Sequence, residues 1–235
     1  MRAPASFAIL LVLALGACDE PRPREQKLNP RPEPLSAELI TPPARSAEGA
    51  EARAGAFGWD AEAGVFLQGE ARLQAGRLWT FDGSTDGFVL AGGQVGPAEP
   101  AGLALALTAF DPILRSPSGL ALDGARYSLV LVRLTRVVRG SAWDGSLYYS
   151  TADHGESAGY TATPFQGADP AVNETVILAY DMRQPRTGGA DWSTSLIDQI
   201  RLDLDDEAGG EFIIHQIAVA EPLADTPPPS LRPAS

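Results

Sequence analysis

The apolar positions of this chain come in short runs rich in branched and aromatic side chains, each bounded by Gly, Pro, Asp or Ser. Such runs predict β-strands. Eight are read, at residues 78–81, 87–91, 102–108, 127–135, 146–151, 174–181, 197–203 and 211–220. Between them, Asp82-Gly83-Ser84-Thr85-Asp86, Asp123-Gly124, Asp169-Pro170, Gly188-Gly189 and Gly209-Gly210 supply turns at low backbone cost. Apolar residues alternate at Leu103, Leu105 and Leu107, and at Ile213, Ile217 and Val219 with His215 in phase, as half-buried strands require. The run from Ser128 to Val132 is apolar at both parities and predicts a central strand covered on both faces. No stretch keeps a 3.6-residue period without a Gly or Pro break, so the crossover helices of a parallel sheet are missing. The expected fold is all-β, an antiparallel sandwich of two sheets.

Composition sharpens this picture. The 235 residues suffice for one domain with a sizeable core, or two very small ones. The 24 glycines and 20 prolines suit turns and linkers. A formal net charge of −12 argues against gripping nucleic acid or an anionic membrane surface. A single cysteine excludes an intrachain disulfide, and with only two histidines it excludes a Cys/His zinc cluster.

The N-terminus reads differently from the rest. Residues 1–17 start with basic Arg2, run through an apolar stretch at 7–15 and end on small Gly16 and Ala17. This is the build of a secretory signal, too short for a spanning helix. Leu15-Gly16-Ala17-Cys18 resembles the lipobox of bacterial lipoproteins. The resemblance implies cleavage before Cys18, a diacylglycerol on its sulfur and an acyl chain such as palmitate on its amine. Several chains together hold firmly where one holds marginally. The implied location is the bacterial cell envelope, anchored to a membrane by lipid. Residues 18–56 carry seven prolines and no aromatic residue and are expected to be a disordered tether. Residues 57–222 hold every tryptophan and tyrosine, and with 22 acidic and 10 basic residues they account for the whole charge imbalance. They are the expected sandwich domain, and residues 223–235 an expected frayed tail.

Within that domain, Trp79-Thr80-Phe81-Asp82-Gly83 followed by Asp86-Gly87-Phe88 resembles the opening of galactose-binding-like jelly rolls. Asp111-Pro112, Ser116-Pro117 and the strand from Tyr127 to Leu134 follow in the family's order, as does Leu147-Tyr148-Tyr149-Ser150-Thr151. The end, Trp192 with Ile197, Ile200, Arg201, Leu202 and Asp203, then Gly210, Phe212, Ile214 and Ile217, is similar to the family's closing strands. Ser193-Thr194 and Leu204 depart from its usual Gly and Pro. The resemblance spans about residues 78–221. It implies a carbohydrate-binding module or a domain appended to polysaccharide-handling proteins, and Trp192 kept as structure.

A sugar site needs flat apolar surface and a few polar groups that fix orientation. Trp143, Tyr149, Tyr160 and Trp192 are the aromatic candidates to face a ligand, with core packing or loop anchoring as the alternative for each. Trp79 and Phe81 are expected in the core. Arg133 and Arg201 lie inside strands, where each either meets a ligand on a sheet face or pairs with a carboxylate. Asp203, Asp205, Asp206 and Glu207 crowd four carboxylates ahead of Gly209-Gly210, and hard oxygens suit a structural calcium ion. Ala208 and Ile214 break the EF-hand template there, and the alternative is a solvated acidic hairpin loop. His154 lies near Ser150 and Ser157, but no G-x-S-x-G elbow occurs, and His215 is expected to be structural. The many carboxylates leave no glycosidic acid–base pair nominated. The expected function is a non-catalytic, carbohydrate-binding envelope lipoprotein that recognises a glycan or polysaccharide. The alternatives are an assembly lipoprotein contacting another envelope protein, and a glycoside-active enzyme.

Overall fold

The structure is a computed structural model and describes residues 57–165 and 169–223. The expected signal, Cys18, the tether and the expected tail beyond Leu223 lie outside the described residues. The strands begin with β1 (Phe57–Asp60), β2 (Val65–Gln68), β3 (Ala71–Arg72), β4 (Ala75–Trp79) and β5 (Val89–Ala91). There follow β6 (Gly93–Pro97), β7 (Leu103–Leu107), β8 (Ile113–Arg115), β9 (Leu122–Asp123) and β10 (Leu129–Val138). The last are β11 (Trp143–Thr151), β12 (Thr161–Ala162), β13 (Thr175–Asp181), β14 (Leu196–Asp205) and β15 (Glu211–Ala220), with one helical turn, α1 (Asp191–Thr194), before β14. All eight strands expected from the sequence are among them.

The pairings are antiparallel throughout. Sheet I runs β13-β10-β15-β7-β6, with β4 also on β15; sheet II runs β12-β11-β14-β8-β5, with β9 also on β14. The two close over one core, as the all-β sandwich requires. Sheet I contributes Leu103, Leu105, Val130, Val132, Leu134 and Ile214. In sheet II, Ala162, Leu147, Leu202, Leu114 and Leu90 stand in register and form one inward row. Trp79 and Phe81 lie in the core as expected, each edge-on to Phe88, with ring centroids 5.2 and 5.3 Å apart.

The strand apolar at both parities is β10. Its Leu129 and Leu131 point away from the main core into a second cluster. The cover there is the small sheet β1-β2-β3, through Phe66 and Leu73, with Trp59 edge-on to Phe66 at 5.0 Å. Leu223 packs against the same cluster.

One expected alternation is broken. The register of β10 with β15 passes from Arg133 opposite Gln216 to Leu134 opposite Ile214, so His215 is an extra residue in a bulge. The bulge swaps parity: Phe212 and Ile214 face the core before it, Ile217 and Val219 after it, and Ile213 turns outward. His215 is half-buried, with Nε2 2.8 Å from Thr135 Oγ1. Burial, and then the charge of Arg133, lower its pKa below the ordinary 6.5. The folded protein therefore holds the neutral ring, and between the lowered value and 6.5 the unfolded chain binds the extra proton. Stability from this group is complete above pH 6.5 and falls as pH drops through that window. A His215→Gln variant is expected to lose less Tm than the wild type between pH 7 and 5, measured by thermal melts; parallel losses would count against it.

Candidate functional site

Because Leu147, Leu202 and Leu114 point inward, their neighbours in the next row of sheet II must point outward. That row is Thr161, Tyr148, Arg201, Arg115 and Val89, opposite one another across five strands. Arg115 grips Glu156 with its Nε at 2.8 and 3.0 Å and its Nη2 at 2.8 Å. Glu156 lies on the loop between β11 and β12, which therefore reaches across the face to β8. Arg201 bonds both oxygens of Asp203, with Nε to Oδ1 at 2.7 Å. The Nη2 that holds Asp203 also approaches Asp111 at 3.5 Å, Nη1 approaches Glu156 at 3.6 Å, and the guanidinium lies 4.4 Å from the centre of the Tyr148 ring. Burial lowers the Arg201 pKa, but the bond to Asp203 and the charges of Asp203, Glu156 and Asp111 raise it further, for a net rise. Tyr148 is raised by burial and then by the charges of Asp203 and Asp144, against Arg201. The result is an aromatic ring set in a pre-ordered network of donors and acceptors.

Two exposed apolar side chains flank this network. Val89 ends the row at 64% exposure, and Phe110, next in sequence to Asp111, is 79% exposed. Phe110 sits between Ala109 and Asp111 on the loop from β7 to β8, and the Asp111 amide donates to the Asp206 carbonyl at 2.9 Å. An aromatic ring so far out of the core is the kind of surface that stacks on a ligand. Sequence reading missed both aromatic members. Phe110 has no periodic context, and Tyr148 competes with Tyr149 for the outward parity.

Two of the four aromatic candidates lie in the core, Trp192 in the structural role that the resemblance implies and Tyr149 against the expectation of a ligand-facing ring. Tyr149 and Trp192 are wholly buried. Tyr149 shares parity with inward Leu147; its hydroxyl donates to Asp191 at 3.0 Å, and burial with that bond raises its pKa strongly. Helix α1 tucks Trp192 against Tyr149, ring centroids 4.9 Å apart, and Trp192 Nε1 donates to the Tyr127 carbonyl at 3.0 Å. Tyr160 is half-buried and stacked on His154 at 3.4 Å. Trp143 packs on the Arg136 guanidinium at 4.8 Å and beside Phe212. Arg133 lies on sheet I, not on this face, and bonds the Gln216 amide oxygen at 3.0 Å instead of a carboxylate. His154 places Nε2 on Asp191 at 2.8 Å and Nδ1 on the Gly155 carbonyl at 2.9 Å, so neither Ser150 nor Ser157 completes a triad with it.

The acidic stretch does not form a calcium cage. Asp203 is taken by Arg201. Asp205 is fully buried and accepts from Arg136 Nη2 at 3.0 Å. Asp206 is exposed, and Glu207 accepts from the Ser141 hydroxyl. The four carboxylates serve different partners, and among the described residues no three acid, His or Cys side chains converge as metal ligands. Burial raises the pKa of Asp203 and of Asp205, opposed by their arginines. An exposed pair of acids at a hairpin tip and two acids locked to guanidinium groups do not fit a structural ion.

No protein-family profile and no curated protein sequence matches the chain. Solved structures similar to it include a low-affinity xylan-binding module of Roseburia intestinalis, at 9% identity and TM-score 0.37, covering 62% of this chain and 95% of that one. A family 29 carbohydrate-binding module of Piromyces equi is similar at 7% identity and TM-score 0.39, over 57% and 82%. A carbohydrate esterase of the Shiga toxin-encoding bacteriophage phi24B is similar at 13% identity and TM-score 0.39, over 63% and 99%.

Proposed function

We propose that the folded domain is a non-catalytic carbohydrate-binding module, carried at a bacterial cell envelope by lipid on Cys18, and that it recognises a glycan with the outer face of sheet II. The observation that carries this reading is the row Tyr148, Arg201 and Arg115, with exposed Phe110 beside Asp111. A pyranose ring presents apolar C–H faces and a rim of hydroxyls. Aromatic rings take the faces, while carboxylates and guanidinium groups take the rim. Glu156 and Asp203 are already ordered by arginines, so little side-chain entropy is lost on binding. The same pairing fixes their oxygens in place to accept from sugar hydroxyls. The anchor is proposed on the lipobox resemblance, and the tether on the proline-rich composition of residues 18–56.

Affinity electrophoresis through gels containing soluble polysaccharides tests the site. Tyr148→Ala and Phe110→Ala are each expected to weaken retention roughly five- to tenfold, the loss of about 1 kcal/mol of stacking. Trp143→Ala is expected to leave retention unchanged, since that ring packs on Arg136. Wild-type protein retained by no glycan would sink the reading and favour the assembly role, in which Phe110 and Val89 meet a protein partner.

A further inference from the structure

The outer face of sheet I, on the other side of the sandwich, carries a second constellation. Beyond the part covered by β1-β2-β3, Arg133 lies in register between Ile177 of β13 and Gln216 of β15. The bulge sets His215 next to Gln216, and a chain of hydrogen bonds runs from His215 through Thr135 to Thr175, at 2.8 and 2.7 Å. Along the same face Ile213, Ala104, Ala106 and Gly96 floor a shallow trough of about 430 Å³, rimmed by Gln94 and Glu211.

Charge is what makes this place unusual. Seven of the described arginines sit in ion pairs: Arg72, Arg115, Arg126, Arg136, Arg139, Arg183 and Arg201. Arg77 and Arg186 have none among the described residues but are exposed, where water solvates them. Arg133 is half-buried, burial alone lowers its pKa, and its one bonded partner among the described residues is the neutral Gln216 amide. A partly desolvated guanidinium without a counter-charge costs stability, and here it persists in a domain with 22 carboxylates. Its remaining N–H donors match a carboxylate, which a guanidinium fork binds bidentately. The Gln and Thr side chains around it suit hydroxyls.

We propose that Arg133, with His215 and Gln216, forms a site for a small hydroxylated carboxylate of the uronic-acid class, separate from the face that carries Tyr148. The trough beside Ile213 takes the rest of the molecule. The guanidinium supplies the charge and the fork, and the Gln216 amide oxygen sets its position.

Thermal melts and amide-detected NMR titrations of the purified protein with glucuronate, acetate and glucose test this. Glucuronate is expected to raise Tm saturably and to shift the Gln216 side-chain amide and His215 signals. Acetate should act more weakly at the same signals, and glucose not at all. An equal response to glucose, or no shift at Gln216 and His215, would overturn the proposal, and an equal response to acetate would show that the carboxylate alone is read and overturn the uronic-acid assignment. Arg133→Met should lose the glucuronate response while its ligand-free Tm stays level or rises, because an apolar chain of similar length ends the desolvation cost. A structural arginine would instead lose Tm on that change. Arg133→Lys keeps the charge without the fork, should fold, and should bind glucuronate about tenfold more weakly; undiminished binding would count against the fork.

Discussion

Asp205→Ala is expected to destabilise the domain by about 3 kcal/mol, read as a shift in the denaturant midpoint without a change in slope. Arg136 and Asp205 are both fully buried and close one end of the sandwich. Arg136 continues the inward parity of Val130, Val132 and Leu134, so its guanidinium enters the core between the rings of Trp143 and Phe212. Removing the carboxylate strands that charge. The cost sits at the low end for a broken buried pair, because Arg136 Nη1 keeps Asp169 and the Pro170 carbonyl. Gly140 and Gly210 mark how tightly the site is closed: a Cβ on either would stand 2.1 Å from Asp205 Oδ2. Replacing both partners, Arg136→Met with Asp205→Leu, should recover most of the loss, since two apolar groups strand nothing. A single Asp205→Ala change costing under about 1 kcal/mol would show that the pair contributes little.

Trp192→Ala should cost about 3–5 kcal/mol, the range for deleting a buried large aromatic, and lower Tm by roughly 10 °C. The ring is wholly buried against Tyr149, and its N–H is satisfied by the Tyr127 carbonyl. Trp192→Phe keeps most of the volume but leaves that carbonyl unpaired, for a smaller loss near 1 kcal/mol. Thermal melts give the stability, and polysaccharide retention of the folded fraction gives the site. The expected result is a large stability loss with retention intact. A stable variant with retention abolished would put Trp192 on a ligand surface.

How far the residues alone disclose this molecule differs between fold and site. Eight strands could be read because their alternation, branched runs or aromatic residues lie between clear turn residues. β8 could not: three residues between Pro112 and Pro117 hold no period. Nor could β6, whose Gly93-Gln94-Val95-Gly96-Pro97 has one branched apolar side chain. Coverage of β10 on both faces was legible in its composition, but the cover was not, since β1 and β2 are four-residue strands joined by a tight turn. The site suffered from parity. Tyr148 and Tyr149 are adjacent aromatics on one strand, and only the pairing of Leu147 with Leu202 and Ala162 decides which one faces out. Leu147 itself was the available clue, since an inward leucine turns the residue two positions on inward as well. The acidic stretch misled for a related reason. Sequence shows four carboxylates side by side, while Arg136 and Arg201, which claim two of them, come from β10 and from β14 itself.

The small sheet β1-β2-β3 also decides orientation. It lies on the outer side of sheet I, so the polypeptide enters the domain at Phe57 on that side, and Leu223 leaves beside it. Any attachment upstream of Phe57 then pulls on the back of the sandwich. The outer face of sheet II, where Tyr148 and its arginines stand, lies on the opposite side of the sandwich from Phe57 and Leu223.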